Sequence, residues 1–260
     1  MANVSTSPLV SLGIPVLAVL VLGLWVLGVA EAERLLGAAA PRVFRRAAVA
    51  ALAALAWAGL SLLAANSGLL ARFDARPPPL LVLLALTLLG ALILGRSRVG
   101  ARLALGLPLW ALVGFQAFRL PLELVLHRAA TDGTMPVEMS FSGYNFDILS
   151  GVSALFVALS LVRRGGRRLA LLWNILGLLL LANIVVIAIA ATPVFHAFGP
   201  DHLNTWVCRS PFVLLPSVLV MAALFGHVVV FRKLRLLAKL SASDTGLAGR
   251  RHPDTAAAKR

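Results

Sequence analysis

The chain has 260 residues, 60% of them hydrophobic and only 13% charged, with a mean hydropathy of +0.93. Soluble domains average about 25% charged residues, so the composition excludes an ordinary soluble enzyme and places the chain in a lipid bilayer. The formal net charge of +14 would suggest nucleic acid in a soluble protein. Here the cations lie between apolar spans, and no aromatic residues interleave with those of the tail, so nucleic acid is not expected as a partner.

A helix that crosses a bilayer needs about 20 mostly apolar residues. The first such stretch is 8–30. The segment Ala30-Glu31-Ala32 resembles a signal-peptide cleavage site, but residues 1–8 hold no positive n-region, so the span is expected to be retained. Stretches 47–71 and 77–95 follow. The apolar run 103–118 is short and reaches membrane length only by absorbing Arg119 and Glu123; 148–162 likewise needs Asp147. The runs 169–195 and 210–231 complete the set. The expectation is an all-α integral membrane bundle of seven transmembrane helices, spanning 1–236, with a basic and disordered cytoplasmic tail over 237–260.

Cation placement sets the threading. Arg34, Arg42, Arg45 and Arg46 lie between spans one and two; Arg96, Arg98 and Arg102 between three and four; Arg163, Arg164, Arg167 and Arg168 between five and six. With the tail, these alternate segments hold 19 of the 24 Lys and Arg. Short loops rich in Lys and Arg stay cytoplasmic, which puts the N-terminus outside and the C-terminus inside. Abundant Leu, Ala, Arg and Gly fit a bacterial chain of the cell (inner) membrane. Cys208 is the only cysteine, so neither an intrachain disulfide nor a cysteine-based metal site is expected.

Span four carries the chemistry. A charged side chain at mid-bilayer costs roughly 2.5–3.5 kcal/mol on insertion scales, so it faces a partner or a watery cavity. At 100° per residue, Gln116, Arg119, Glu123 and His127 fall within an arc of about 80°, a stripe that climbs roughly 16 Å. Pro121 is expected to free the carbonyl of Ala117 and to kink the helix. Asn145 and Asp147 open span five, where Asn145 can cap and Asp147 can act as counter-ion to Arg119. Asn183 is expected in the same outer half. Asn174, nine residues away, faces the other side, and His227 falls near the cytoplasmic end of span seven.

Three chemistries fit that stripe. Arg119 and Glu123 can form an intrahelical ion pair that locks helices together with Asp147. An outward-facing polar pocket lined by Arg119, Glu123, His127, Asp147, Gln116, Asn145 and Asn183 can bind a small anionic or zwitterionic ligand for transport or sensing. Alternatively, Glu123 and His127 can join Asp147 or the loop histidines in a metal-dependent hydrolase, although no established zinc spacing is present. A non-enzymatic protein that carries no cofactor and no metal is the preferred expectation, and a structural or accessory subunit is the remaining one.

The strings Phe118-Arg119-Leu120-Pro121-Leu122-Glu123, Gly143-x-Asn145-x-Asp147-Ile148, Trp173-Asn174 and Gly226-His227 resemble a group of uncharacterised bacterial multi-pass, seven-helix membrane proteins. The likeness covers spans four to seven. That group has no assigned activity, so the resemblance implies a membrane bundle and no reaction. The Walker lysine loop, the HExxH motif and the Gly-x-Ser-x-Gly elbow are all missing from the sequence.

Overall fold

The computed structural model describes residues 7–250, with side chains through residue 241, and every regular element in that range is helical. The helices are α1 (Pro8–Leu35), α2 (Ala40–Asn66), α3 (Pro79–Arg96), α4 (Arg98–Gly106), α5 (Leu109–Gly114), α6 (Arg119–Thr131), α7 (Ile148–Arg164), α8 (Arg167–Ala190) and α9 (Val220–Arg250). A 3-10 turn at Phe115–Phe118 joins α5 to α6, and a π turn at Leu215–Leu219 leads into α9.

Six helical stretches are long and apolar enough to cross a membrane: Pro8–Leu35, Ala40–Asn66, Pro79–Arg96, Leu109–Thr131, Arg167–Ala190 and Leu215–Ser241. The chain is therefore an all-α protein with the build of a multi-pass membrane protein. α7, at 17 residues, is shorter than any of the six.

Several boundaries differ from those expected. The fourth stretch begins at Leu109 and not near 103, because Pro108 has no amide to donate and Leu107 before it is extended (φ −81°, ψ 144°). Residues 98–106 form the separate α4 at the end of α3. α9 continues to Arg250, so 237–250 are helical where composition suggested disorder. The rest of the expected tail, 251–260, and the first six residues lie outside the described residues.

α9 is the central helix and packs on α3, α4, α5 and α8; α2 packs along α1 at the periphery. The arginine-bearing connections gather at one end. There, buried Glu33 of α1 pairs with Arg46 of α2 and Arg102 of α4, and Arg232 of α9 donates to the carbonyls of Gly95 and Ser97 at 2.8 Å each. At the opposite end, the Ser7 amide donates to Asp132 at 3.2 Å, and His202 pairs with Glu138 at 2.8 Å.

Candidate functional site

α6 starts at Arg119 itself. Pro121 therefore sits in the first turn of α6, where its missing amide breaks no bond within that helix. The departure from regular helix is the 3-10 turn just before it. Arg119 is ten residues into the 23-residue stretch Leu109–Thr131, so its guanidinium is near the middle of the span.

Two close backbone approaches bring partners to it. A Cβ on Gly151 of α7 would come within 2.3 Å of the Leu120 amide nitrogen, so only glycine lets α7 lie this close to α6. A Cβ on Gly177 of α8 would meet the His227 ring at 2.7 Å. α7 thereby delivers Asp147, α8 delivers Asn174 and the Gly177 carbonyl, and α9 delivers His227.

Arg119 Nε donates to Asp147 Oδ2 at 2.7 Å and Nη2 donates to Oδ1, the parallel two-bond geometry in which a guanidinium holds a carboxylate best. Nη1 and Nη2 also point to the Gly177 carbonyl at 3.4 Å, and Nη1 lies 2.9 Å from His227 Nε2. A guanidinium can only donate, so His227 Nε2 accepts and its proton resides on Nδ1. That Nδ1–H donates to Asn174 Oδ1 at 2.9 Å, and Asn174 Nδ2 returns a bond to the His227 carbonyl at 3.1 Å.

Glu123 belongs to the other side of the same network. Asn145 Nδ2 donates to its Oε2 at 2.8 Å and to the Met139 carbonyl at 3.0 Å, while Asn145 Oδ1 accepts the Asp147 amide at 3.0 Å. One asparagine thus positions both carboxylates. Arg119, Glu123, Asn145, Asp147, Asn174 and His227 are each 3% exposed or less. Gln116 Nε2 donates to the Ala223 carbonyl at 2.8 Å, and its Oε1 and the Ser150 Oγ are buried without a protein partner. Next to the network is a cavity of about 80 Å³, walled by Arg119, Glu123 and Asp147, by Thr192 and Asn204, and otherwise by apolar groups such as Phe118, Leu215 and Leu219.

Three of the expected site residues line this cavity: Arg119, Glu123 and Asp147. Asn145 orients the two acids and Gln116 is tied to α9 nearby. His127 and Asn183 are elsewhere. The His127 ring bonds to Ser142 Oγ at 3.0 Å and stacks on Phe141 with centroids 4.3 Å apart; Asn183 Nδ2 donates to the Tyr144 carbonyl at 2.8 Å. The expected Arg119–Glu123 pair is replaced by Arg119–Asp147, with Glu123 on Asn145. Glu123 and His127 do not share a site. Among the described residues, no group of three His, Cys, Asp or Glu is placed to hold a metal ion.

His227 and Asn174 are the functional candidates that sequence reasoning set aside. Both were visible as polar residues within apolar runs. The depth of His227 differs from that expected because the helical stretch runs Leu215–Ser241, not from 210, and puts His227 near its middle. The opposed faces assigned to Asn174 and Asn183 are correct, but Asn174 is the one that joins Arg119.

At the loop end, the Glu138 carboxylate beside His202 raises that imidazole's pKa above the ordinary 6.5, with Asp201 adding to the effect. Compared with protein-family models, with curated proteins and with solved structures, the chain matches none.

Proposed function

We propose that this is a seven-pass protein of a bacterial cytoplasmic membrane, N-terminus outside and C-terminus inside, that transports or senses a small anionic or zwitterionic ligand without catalysing a reaction. Membership of the group its sequence resembles is part of the same proposal. α7 supports the seventh pass: its 17 residues extend about 26 Å from beside Arg119 toward the arginine-rich end, the connection before it runs along α6 with Ser142 on His127, and it packs against α5, α6 and α8. An odd number of passes agrees with Ser7 and Arg232 bonding at opposite ends of the bundle. The arginine-rich end is assigned to the cytoplasm by the cation rule.

The observation that carries the ligand proposal is the cavity of about 80 Å³ on whose wall Arg119, Glu123 and Asp147 meet. Ionisable groups inside a bilayer are rare and mark ligand and ion pathways. The volume is below the roughly 300–1,000 Å³ of drug-sized sites, so the ligand is a handful of heavy atoms, a short carboxylate or an amino acid the size of glycine. Its carboxylate takes the two parallel bonds on Arg119 that Asp147 now receives; the released Asp147, with Glu123, then faces the ammonium of a zwitterion such as glycine, whereas a plain carboxylate has to bring a proton with it.

Purified protein in liposomes, tested for uptake of labelled acetate and glycine and for thermal stabilisation by each, decides it. The parent should respond to one of them and a folded Arg119→Gln variant to neither. No response in the parent, or an unchanged response in the variant, overturns the ligand proposal. One observation favours a structural or accessory role instead: Nε, Nη1 and Nη2 of Arg119 all have partners within the protein.

A further inference from the structure

Away from Arg119, at the arginine-rich end, a second and far larger cavity opens between α1, α2, α4 and α9, with a volume of about 980 Å³. It exists because of how α2 packs. That helix lies along α1 and reaches the π turn at Leu215–Leu219, leaving a gap on the side of α4 and α9. At the closed end, Trp57 Nε1 of α2 donates to the Ser217 carbonyl at 2.8 Å and pins the two helices together. Small residues on α2, Ala50, Ala53 and Ala54, keep the trench wide.

The cavity is sharply divided in chemistry. Its walls are Val21, Trp25, Ala54, Trp57, Met221 and Phe225, with Trp25 and Phe225 in edge-to-face contact at 4.9 Å. Its mouth carries Arg45, Arg46, Arg98 and Arg102 with Glu33 as the one acid. Glu33 holds Arg46 and Arg102 in place. Arg45 and Arg98 are exposed and, among the described residues, their side chains have no hydrogen-bond or ion-pair partner.

The dimensions agree with one leaflet of a membrane. Arg45 and Trp57 are twelve residues apart on α2, a rise of about 18 Å, against roughly 15 Å for half the hydrocarbon core. An apolar trench of that depth, cationic only at its rim, is complementary to one amphiphile: acyl chain inside, anionic headgroup at the surface.

We propose that the cleft between α1, α2, α4 and α9 is a binding site for an anionic acyl lipid of the membrane, its phosphate held by Arg45 and Arg98 and its chain against Trp25, Trp57 and Phe225. Guanidinium groups suit phosphate oxygens through paired bonds, and weak hydration makes them good partners at a lipid surface. The site is separate from the Arg119 network, and its occupancy does not depend on whether that network binds anything.

The full chain, purified in a neutral detergent, is examined by native mass spectrometry with dioleoylphosphatidylglycerol, with dioleoylphosphatidylcholine and with inorganic phosphate. Phosphatidylglycerol should be retained over phosphatidylcholine, which has the same chains, by roughly tenfold or more. Arg45→Gln with Arg98→Gln, both at the exposed rim, should abolish the preference, while Arg163→Gln with Arg164→Gln, on α7 at the same end, should preserve it. Ala54→Trp, which fills the trench, should remove retention of both lipids. Equal retention of the two lipids, or a preference that survives loss of Arg45 and Arg98, overturns the proposal. So does inorganic phosphate competing as well as the lipid, which would mark a headgroup site without a chain. A protein that is dimeric by light scattering, and that Ala54→Trp renders monomeric with lipid retention unchanged, also overturns it.

Discussion

Arg119 and Asp147 lie side by side in the centre of the bundle, Nε of one donating to Oδ2 of the other at 2.7 Å and Nη2 to Oδ1. They come from helices joined by a 16-residue connection that leaves the span, turns and returns through Asn145. The pair therefore fixes how α7 is set against α6. Because α8 and α9 add the Gly177 carbonyl and His227 to the same guanidinium, one side chain orders four helices.

A first test separates fastening from ligand chemistry. Removing one member of a buried pair strands the other charge, and such changes cost about 3–5 kcal/mol. Asp147→Asn and Arg119→Gln should each lower the unfolding free energy in detergent by an amount of that order, read as a lower thermal midpoint. The double replacement Arg119→Met with Asp147→Leu removes both charges and should recover most of the loss. A double variant as stable as the parent but unresponsive to acetate and glycine assigns the pair to ligand binding; one with unaltered response assigns it to packing alone.

The approach of α7 to α6 can be tested without touching a charge. Gly151→Ala places a methyl about 2.3 Å from the Leu120 nitrogen, and backbone cannot yield as a side chain can. A destabilisation of about 1–3 kcal/mol is expected, typical of overpacking. Gly59→Ala in α2, where nothing lies within 4 Å, should be neutral or slightly stabilising. Equal midpoints for the two variants by differential scanning calorimetry would show that α6 and α7 are not so closely packed.

Much of this was legible in advance, for identifiable reasons. Lipid demands apolar surfaces, so the six long helices announced themselves by hydropathy, and a lone Arg among them announced a buried partner. The choice of Asp147 as counter-ion was readable because it opens an otherwise apolar run. What failed was registry. Apolar Leu103–Leu107 continues smoothly in composition across Pro108, so the span start was set too early and Arg119 too near an end. Span seven likewise reads as starting at 210, which sets His227 near its cytoplasmic end, whereas the helical stretch starts at Leu215 and continues to Ser241. His127 obeys the periodicity and still misses, because the loop bearing Phe141 and Ser142 folds back to occupy its ring.

The pairing of Glu138 with His202 joins the loop before α7 to the loop before α9, and it should respond to pH. Its carboxylate raises the His202 pKa above the ordinary 6.5, so the charged pair is fully formed below that value and is lost as pH rises through the raised one. Hydrogen exchange in 199–207 should therefore be slower at about pH 6 than at about pH 9, after correction for intrinsic rates. Glu138→Gln should bring the His202 midpoint, read by NMR, back down toward the ordinary value and flatten the difference. A midpoint unchanged by that substitution would break the link between the two loops.

The number of crossings is decided by α7. With Cys208→Ser removing the only native cysteine, single cysteines at Ser142 and at Gly166 bracket the helix. If α7 crosses, a membrane-impermeant maleimide should label position 142 in intact cells and position 166 only after permeabilisation. Arg163, Arg164, Arg167 and Arg168 supply interfacial anchors at one end, and at the other the connection before α7 runs beside α6, Ser142 on His127 and Asn145 on Glu123, so that helix and connection together cover the span. Labelling of both positions from one side would make α7 a re-entrant helix and the protein six-pass. Both termini would then lie on one side, which the bonds of Ser7 and Arg232 at opposite ends of the bundle oppose.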